Sequence, residues 1–475
     1  MKKIVLGVIL LFTSSSLIGG DIPIFVAPEH QVAPSVAFSG NNYLVVWEDR
    51  REGYGIGCQI VSKEGTLIGD NFYISTGGRF PEVEWGDRNY LVAWGRYGQL
   101  ISEDGTSIGG SFCIIPENDT LGFCGIKDIA WNGENYLIVA QVFIEDSSCP
   151  RQDILARFVL PDGGLGDSII VVARADSAFF YGAPRVASDG EDFLVVWADW
   201  YGRIWGQRLS YGGTLLDSSF RIGFTWQQSP DVTWNGTNYL VVWDDGRGGG
   251  GYEWDIYGQL ISQDGTLVGE EIPISTYTSD QRFCAVASNR MNHIVIWLDW
   301  RVYIAVIYGQ FVSLSGSLIG ANLRVQAEDP LSFYGDASPG ICYGNENYFV
   351  VWSDQRLTSP DTSLDIYGNF IPFTGIETDD TSLLSDIHLF QNKPNPFKNI
   401  KNTEVSYFLP RNSKVAFSIF NLGGQVVFRT NLGHKSAGFH TLTIDGDKLG
   451  SQGVYFYRIE ADGYAITKKM VMMGK

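Results

Sequence analysis

The hydrophobic residues of this chain gather into short unbroken runs, each opened by a turn signal and closed by charge. In "NGTNYLVVWDDGR" (Asn235–Arg247) a turn leads into five consecutive apolar residues and then into two acids and an arginine. A strand with one buried face alternates apolar and polar side chains, so an unbroken run predicts a strand covered on both faces. The run returns as "NNYLVVWEDRR" from Asn41, "RNYLVAWGR" from Arg88, "ENYLIVAQ" from Glu134, "EDFLVVWAD" from Glu191, "MNHIVIWLD" from Met291 and "ENYFVVWSD" from Glu346. The equivalent positions Trp47, Trp94, Ala140, Trp197, Trp243, Trp297 and Trp352 are separated by 47, 46, 57, 46, 54 and 55 residues.

Each copy has one anatomy. A segment such as "PDVTWNG" reads as a strand ending in a hairpin turn, "YLVVW" is the second strand, and a variable loop leads to "DIYGQLIS", the third. A "DGT" turn then opens a fourth, "LVGEEIPIS". Four antiparallel strands repeated seven times predict an all-β chain whose residues 21–376 form a seven-bladed β-propeller. The last copy runs through "DIYGNFIPFTGI" without a fourth strand, and "DIPIFVAPEHQVAPSV" at the other end looks like the missing piece. Ile22–Val26 is therefore expected to complete the seventh blade and remove its open edge. The repeat resembles that of other exported bacterial proteins with "VVWxDxR…DIYGQ" units, a resemblance that implies the propeller and brings no settled activity.

Two flanking regions break the pattern. "MKKIVLGVILLFTSSSLIGG" (residues 1–20) has two lysines, a short apolar core and small residues at its end, which predicts a secretory signal peptide. No other stretch is long and apolar enough to span a membrane in the mature chain. An acidic, Ser/Thr-containing linker (377–388) precedes residues 389–475, where alternating strands joined by glycine turns predict a small antiparallel sandwich. Pro394-Asn395-Pro396, the turn Asn421-Leu422-Gly423-Gly424-Gln425-Val426, Gly453-Val454-Tyr455 and Lys468-Lys469 resemble the C-terminal sorting domain of type IX secretion cargo. They are equally similar to the immunoglobulin-like domain of the flagellar hook-capping protein. The resemblance implies an immunoglobulin-like fold, outer-membrane secretion machinery of a Gram-negative-type bacterium as partner, and a tail removed or anchored at the cell surface.

Charge sharpens the division. Residues from Leu389 onward carry 12 Lys+Arg against 5 Asp+Glu, and the residues before them 22 against 48, so the chain's −19 is a −26 body and a +7 tail. Such a body repels nucleic acid and anionic membranes. Cys113, Cys124 and Cys149 lie close enough in sequence for one disulfide in an exported chain, whereas Cys58, Cys284 and Cys342 sit singly in strand patterns and read as buried small hydrophobes.

Candidate chemistry concentrates on one rim. Loops from second to third strands, and from fourth strands to the next blade, share it, while the opposite rim has tight turns only. The long segments and their neighbours carry Phe179, Phe180, Tyr181, Trp200, Tyr201, Trp226, Tyr252, Trp254, Trp300 and Tyr334. These rings can stack on a glycan or protein ligand, or pack between loops. The pairs Asp49/Arg51, Asp245/Arg247, Asp299/Arg301 and Asp354/Arg356 recur at equal positions and read as loop staples, because an active site needs residues that differ around the ring. Residues that do differ stand just ahead of each first-strand Val or Ile: Ser35, Glu82, Asp128, Arg185, Asp231, Ala285 and Gly340. Glu82, Asp128, Asp231 and Arg185 at a channel mouth admit an acid/base pair, a cation site, or a solvated acidic ring. His293, in a strand position held elsewhere by Tyr or Phe, reads as core. No Ser–His–Asp set, zinc motif or phosphate loop is present, and no metal or cofactor is expected. The expected function is ligand binding without catalysis. The alternatives are a glycan-active hydrolase or lyase at the channel mouth, and a purely structural surface protein.

Overall fold

The computed structural model describes residues 20–372 and 388–473, apart from segments 118–120, 145–150, 175–182, 249–252, 328–338 and 357–362 and shorter stretches of one to three residues. The chain divides into two compact units, Met1–Phe373 and Thr374–Lys475. Residues 1–19, where the sequence predicts a signal peptide, and most of the expected linker lie outside the described residues.

In the first unit the described residues form seven four-stranded antiparallel sheets. Their first strands are Gln31–Phe38, Glu82–Trp85, Leu121–Trp131, Arg185–Ser188, Gln227–Trp234, Gln281–Ser288 and Gly340–Gly344. Each packs against the first strands of the sheets before and after it, and the last returns to the first. Ile22–Phe25 joins the last sheet beside Asp365–Pro372, with Ile22 opposite Gly368 and Phe25 opposite Ile366. The N-terminal strand thus takes the place that the sequence pattern left open.

The greasy runs are buried from both sides, and alternate residues feed two different cores. Tyr43, Val45 and Trp47 pack with Phe349, Val351 and Ile366 of the last sheet, while Leu44 and Val46 pack with Val83, Tyr90, Val92 and Trp94 of the second. A sheet sandwiched between two others has no polar face to keep. Close packing also explains the glycine of the third strand, since a Cβ on Gly57 would lie 2.5 Å from the Trp47 ring.

The repeated tyrosine joins neighbouring sheets. Tyr43, Tyr90 and Tyr136 donate their hydroxyls to Gly344 O, Asn42 O and Asn89 O of the preceding sheet at 2.8, 2.7 and 2.6 Å. In the sixth sheet, His293 replaces the tyrosine and meets Asn235 Nδ2 at 3.0 Å through Nε2. Burial drives the His293 pKa down to about 3, so the ring is neutral.

The Asp/Arg pairs are staples. Arg51, Arg247, Arg301 and Arg356 contact their aspartates at 3.0, 2.5, 2.6 and 2.9 Å. Trp243, Trp297 and Trp352 donate Nε1 to the same carboxylates. In the fourth sheet the arginine comes two residues later, and Arg203 reaches Asp199 at 2.5 Å. Cys58, Cys113, Cys284 and Cys342 are free thiols, so no disulfide uses Cys113, and Cys149 lies outside the described residues.

The second unit holds a three-stranded and a five-stranded sheet, with Val405, Tyr407, Phe417, Ile419, Tyr457 and Met470 in its core.

Candidate functional site

The seven unequal first-strand residues converge. Ser35, Glu82, Asp128, Arg185, Asp231, Ala285 and Gly340 all line one cavity of about 380 Å3, together with Phe80, Glu84 and Lys127. Ser35, Asp128, Asp231 and Ala285 sit beyond an irregular step in their strands. The ladder shifts between Val32 and Ser35, Ile126 and Asp128, Gln228 and Asp231, and Arg282 and Ala285. Ala33, Phe80, Ser229 and Phe283, two residues upstream, have left-handed backbones with φ of 51°, 51°, 50° and 59°. Such a local irregularity re-aims the side chain that follows it, here into the shared cavity.

What the carboxylates do there is mostly structural. Asp128 accepts from Ile129 N at 2.9 Å and from Val186 N of the next sheet at 2.7 Å. Asp231 repeats the arrangement with Val232 N at 2.9 Å and Val286 N at 2.8 Å, and Ser35 Oγ accepts from Val83 N at 3.3 Å. One oxygen of each aspartate therefore ties its own strand and the other ties the next sheet. Glu82 is salt-bridged to Arg185 at 2.9 Å, and Arg185 also donates to Lys127 O.

Enclosure leaves these groups electrostatically unusual. Burial pushes Asp128 up to about 8, against the lowering effect of Arg185 and with Glu82 and Asp231 adding to the rise. Burial, and then the neighbouring Asp128, lifts Glu84 to about 8. Asp231 rises to about 6 by burial, opposed by Arg185. For Arg185 burial works to lower the pKa, but Glu82, Asp128 and Asp231 outweigh it and hold the guanidinium charged. Sequence reading missed Glu84, although its spacing of two from Glu82 on one strand places both on the same face. Among the described residues no group of three His, Cys, Asp or Glu is arranged to hold a metal.

The rim residues divide into three sets. Trp200, Tyr201 and Trp226 are 52%, 67% and 70% exposed. Trp254 and Trp300 are half-buried: the Arg282 guanidinium lies 4.6 Å from the Trp254 ring, and Trp300 packs on the core of the last two sheets. Phe179, Phe180, Tyr181, Tyr252 and Tyr334 lie outside the described residues. Phe224, which the sequence reading did not single out, is 58% exposed two positions before Trp226. The spacing in "FTW" was the available signal.

In the tail, the motif residues build turns and ties. Gly424 has φ of 77° in a turn where Asn421 Oδ1 accepts from Gln425 N at 3.0 Å. Tyr455 is buried and donates to Leu449 O at 2.9 Å, and Asn395 Oδ1 accepts from Val471 N at 2.7 Å. Gly453 opens the strand Gly453–Ala461, and Lys468 and Lys469 lie on the last strand, Lys469 exposed. Pro394 and Pro396 lie outside the described residues. This span, residues 394–473, matches the family model of the secretion system C-terminal sorting domain.

The chain ends in a secretion sorting domain. Its Tyr455 tie and Gly424 turn secure the fold of that domain, and the domain marks the chain for secreted or cell-surface export. No curated protein matches the full sequence. Among solved structures, the BP39L lectin from Burkholderia pseudomallei is similar with a TM-score of 0.50 and 13% identity, over 73% of this chain and 98% of the lectin. A prolyl endopeptidase is similar with a TM-score of 0.39 and 11% identity, over 81% of this chain and 54% of that one, so this chain spans about half its length. The likeness is one of propeller-like fold. No helix among the described residues is long and apolar enough to cross a membrane.

Proposed function

We propose that the seven sheets are the blades of a closed seven-bladed β-propeller over residues 21–376, made with a signal peptide at 1–20. In this reading residues 389–475 are an immunoglobulin-like sorting domain, and the propeller binds an extracellular glycan or protein through its loop-rich rim. The observation that carries the binding reading is the group of exposed rings Trp200, Tyr201, Phe224 and Trp226. Four large aromatic side chains with more than half of their surface exposed present an apolar face suited to a ligand. The propeller-like fold shared with a lectin is compatible with this use. The test is binding of the purified full chain to a glycan array and to extracellular protein fractions. Loss of the bound signal in Trp200→Ala and Trp226→Ala supports the reading, and an unchanged signal rejects it.

A second reading rests on the cavity, where an Asp128 carboxyl lifted to about 8 is suited to donate a proton in glycan cleavage. The engagement of every oxygen of Asp128 and Asp231 by a backbone N–H weighs against it, since it gives both carboxylates a structural task. Glycan cleavage abolished by Asp128→Asn or Asp231→Asn, with the fold intact, would replace the binding reading.

A further inference from the structure

The exposed rings are held in an unusual way. Trp200 and Tyr201 form the tip of a tight turn in which Gly202 N donates to Asp199 O at 2.9 Å, and Asp199 Oδ1 accepts from Tyr201 N and Arg203 N. Gly202 O in turn accepts from Gln227 N at 2.9 Å, and a Cβ on Gly202 would lie 2.9 Å from Trp226 N. The turn tip is therefore pressed against the backbone that carries Trp226. Trp226 itself has φ of 62°, a left-handed conformation that costs a residue with a Cβ roughly 1–2 kcal/mol. Its side chain is 70% exposed, so burial does not repay the strain. Among the described residues no packing of the indole calls for tryptophan at this position.

Charge narrows what these rings accept. The body before the tail carries 22 Lys+Arg against 48 Asp+Glu, which disfavours a polyanion. Two of the rings already have a cation of the protein on one face: Arg203 lies 4.7 Å from Tyr201 and Arg221 lies 4.6 Å from Phe224. Those guanidiniums repel a cationic ligand. Arg203 is neutralised by Asp199, which weakens its pull on an acidic chain. An uncharged partner with flat apolar C–H faces and hydroxyls fits what remains.

We infer that Trp226, Trp200, Tyr201 and Phe224 form a platform for a neutral polysaccharide, on which pyranose rings stack while guanidinium N–H groups at the margin donate to hydroxyls. The inference rests on the rim-binding reading and gives it a ligand class. Sequence pattern and fold carry the blade; the strained tryptophan is kept for the ligand.

The test uses the full chain in affinity electrophoresis and calorimetry against a β-1,3-glucan, a mannan and an arabinoxylan, with polygalacturonate and alginate as acidic counterparts. Binding to at least one neutral polymer is expected. Trp226→Ala should weaken it about ten-fold, and the added Trp200→Ala should bring it below detection. Trp226→Gly separates function from folding, because glycine tolerates the left-handed backbone: it should raise Tm by about 1–2 °C while losing the same affinity. A lower Tm for Trp226→Gly overturns the strain argument. Binding to acidic polymers alone, lost in Arg221→Gln, overturns the neutral class but keeps the rim. Neutral-glycan binding that survives the double ring substitution overturns the rim-binding reading itself.

Discussion

Asp21 shows how much one residue can secure. Its carboxylate meets Arg356 at 2.8 Å with side chains 1% and 5% exposed, and it accepts from Ala327 N and Asn369 Nδ2. Arg356 keeps Asp354 when Asp21 is changed, so Asp21→Asn should cost about 1–3 kcal/mol in chemical denaturation, less than breaking an isolated buried pair. Asp217→Asn removes a contact to Arg208 whose acid is 77% exposed, and should stay within about 0.5 kcal/mol. Asp128 answers to pH. Its folded pKa of about 8 lies above the ordinary carboxylate value, so the native state holds a proton that the unfolded chain has released. The associated stability is complete below about pH 4 and is lost as pH rises through 8. Asp128→Asn, which cannot ionise, should therefore raise Tm relative to the parent more at pH 8.5 than at pH 5. Equal destabilisation at both values would assign the residue to its hydrogen bonds alone.

At the scale of the strand, the tyrosine that opens a greasy run is a clasp to the sheet before it, as at Tyr43, Tyr90 and Tyr136; His293 is the variant clasp, and Phe193 of the fourth sheet has no hydroxyl to give. Burial holds the His293 pKa near 3, below its ordinary value of about 6.5. The unfolded chain takes up a proton below pH 6.5 and the native ring does not until about pH 3. Stability should fall over that window by up to about 1.4 kcal/mol per pH unit. His293→Tyr, the residue at Tyr43, Tyr90, Tyr136, Tyr239 and Tyr348, should flatten that slope between pH 6 and 4 in urea titrations. The closing strand is the second test at this scale. Ile22–Phe25 covers the edge of Asp365–Pro372, and deletion of residues 21–27 exposes it and removes the Asp21 tie. The deleted chain should lose several kcal/mol, well beyond a surface truncation, and should associate in sedimentation experiments.

For the whole molecule, two units with opposite charge balance serve two purposes. The sorting domain is expected to direct export, so a chain lacking residues 389–475 should retain a folded propeller and accumulate in the periplasm of a host with type IX machinery. Cell fractionation checks this, and surface delivery of the truncated chain would defeat the sorting role. Much of this organisation was legible before any coordinates. Repeat spacing predicted seven copies of four strands, and the missing fourth strand of the last copy pointed to Ile22–Val26, of which Ile22–Phe25 pairs in the last sheet. Equal recurrence marked the Asp/Arg pairs as staples, and inequality marked the residues that meet in the cavity. The exposure of Trp226 against the packing of Trp254 was not legible, because both are loop tryptophans of the same composition context.

The sequence by itself determined the period, the strand pattern, the double burial of the second strands and the module at the end, because these follow from local hydrophobic spacing and short motifs. Tertiary structure alone decided which polar groups are spent on holding the ring. Asp128 and Asp231 read as free acids in one dimension, yet each finds the next sheet's backbone N–H 55 to 58 residues away. It also decided which aromatic rings stay in water. That choice depends on the shape of a turn at Gly202 and a left-handed backbone at Trp226, and neither leaves a periodic trace in the chain.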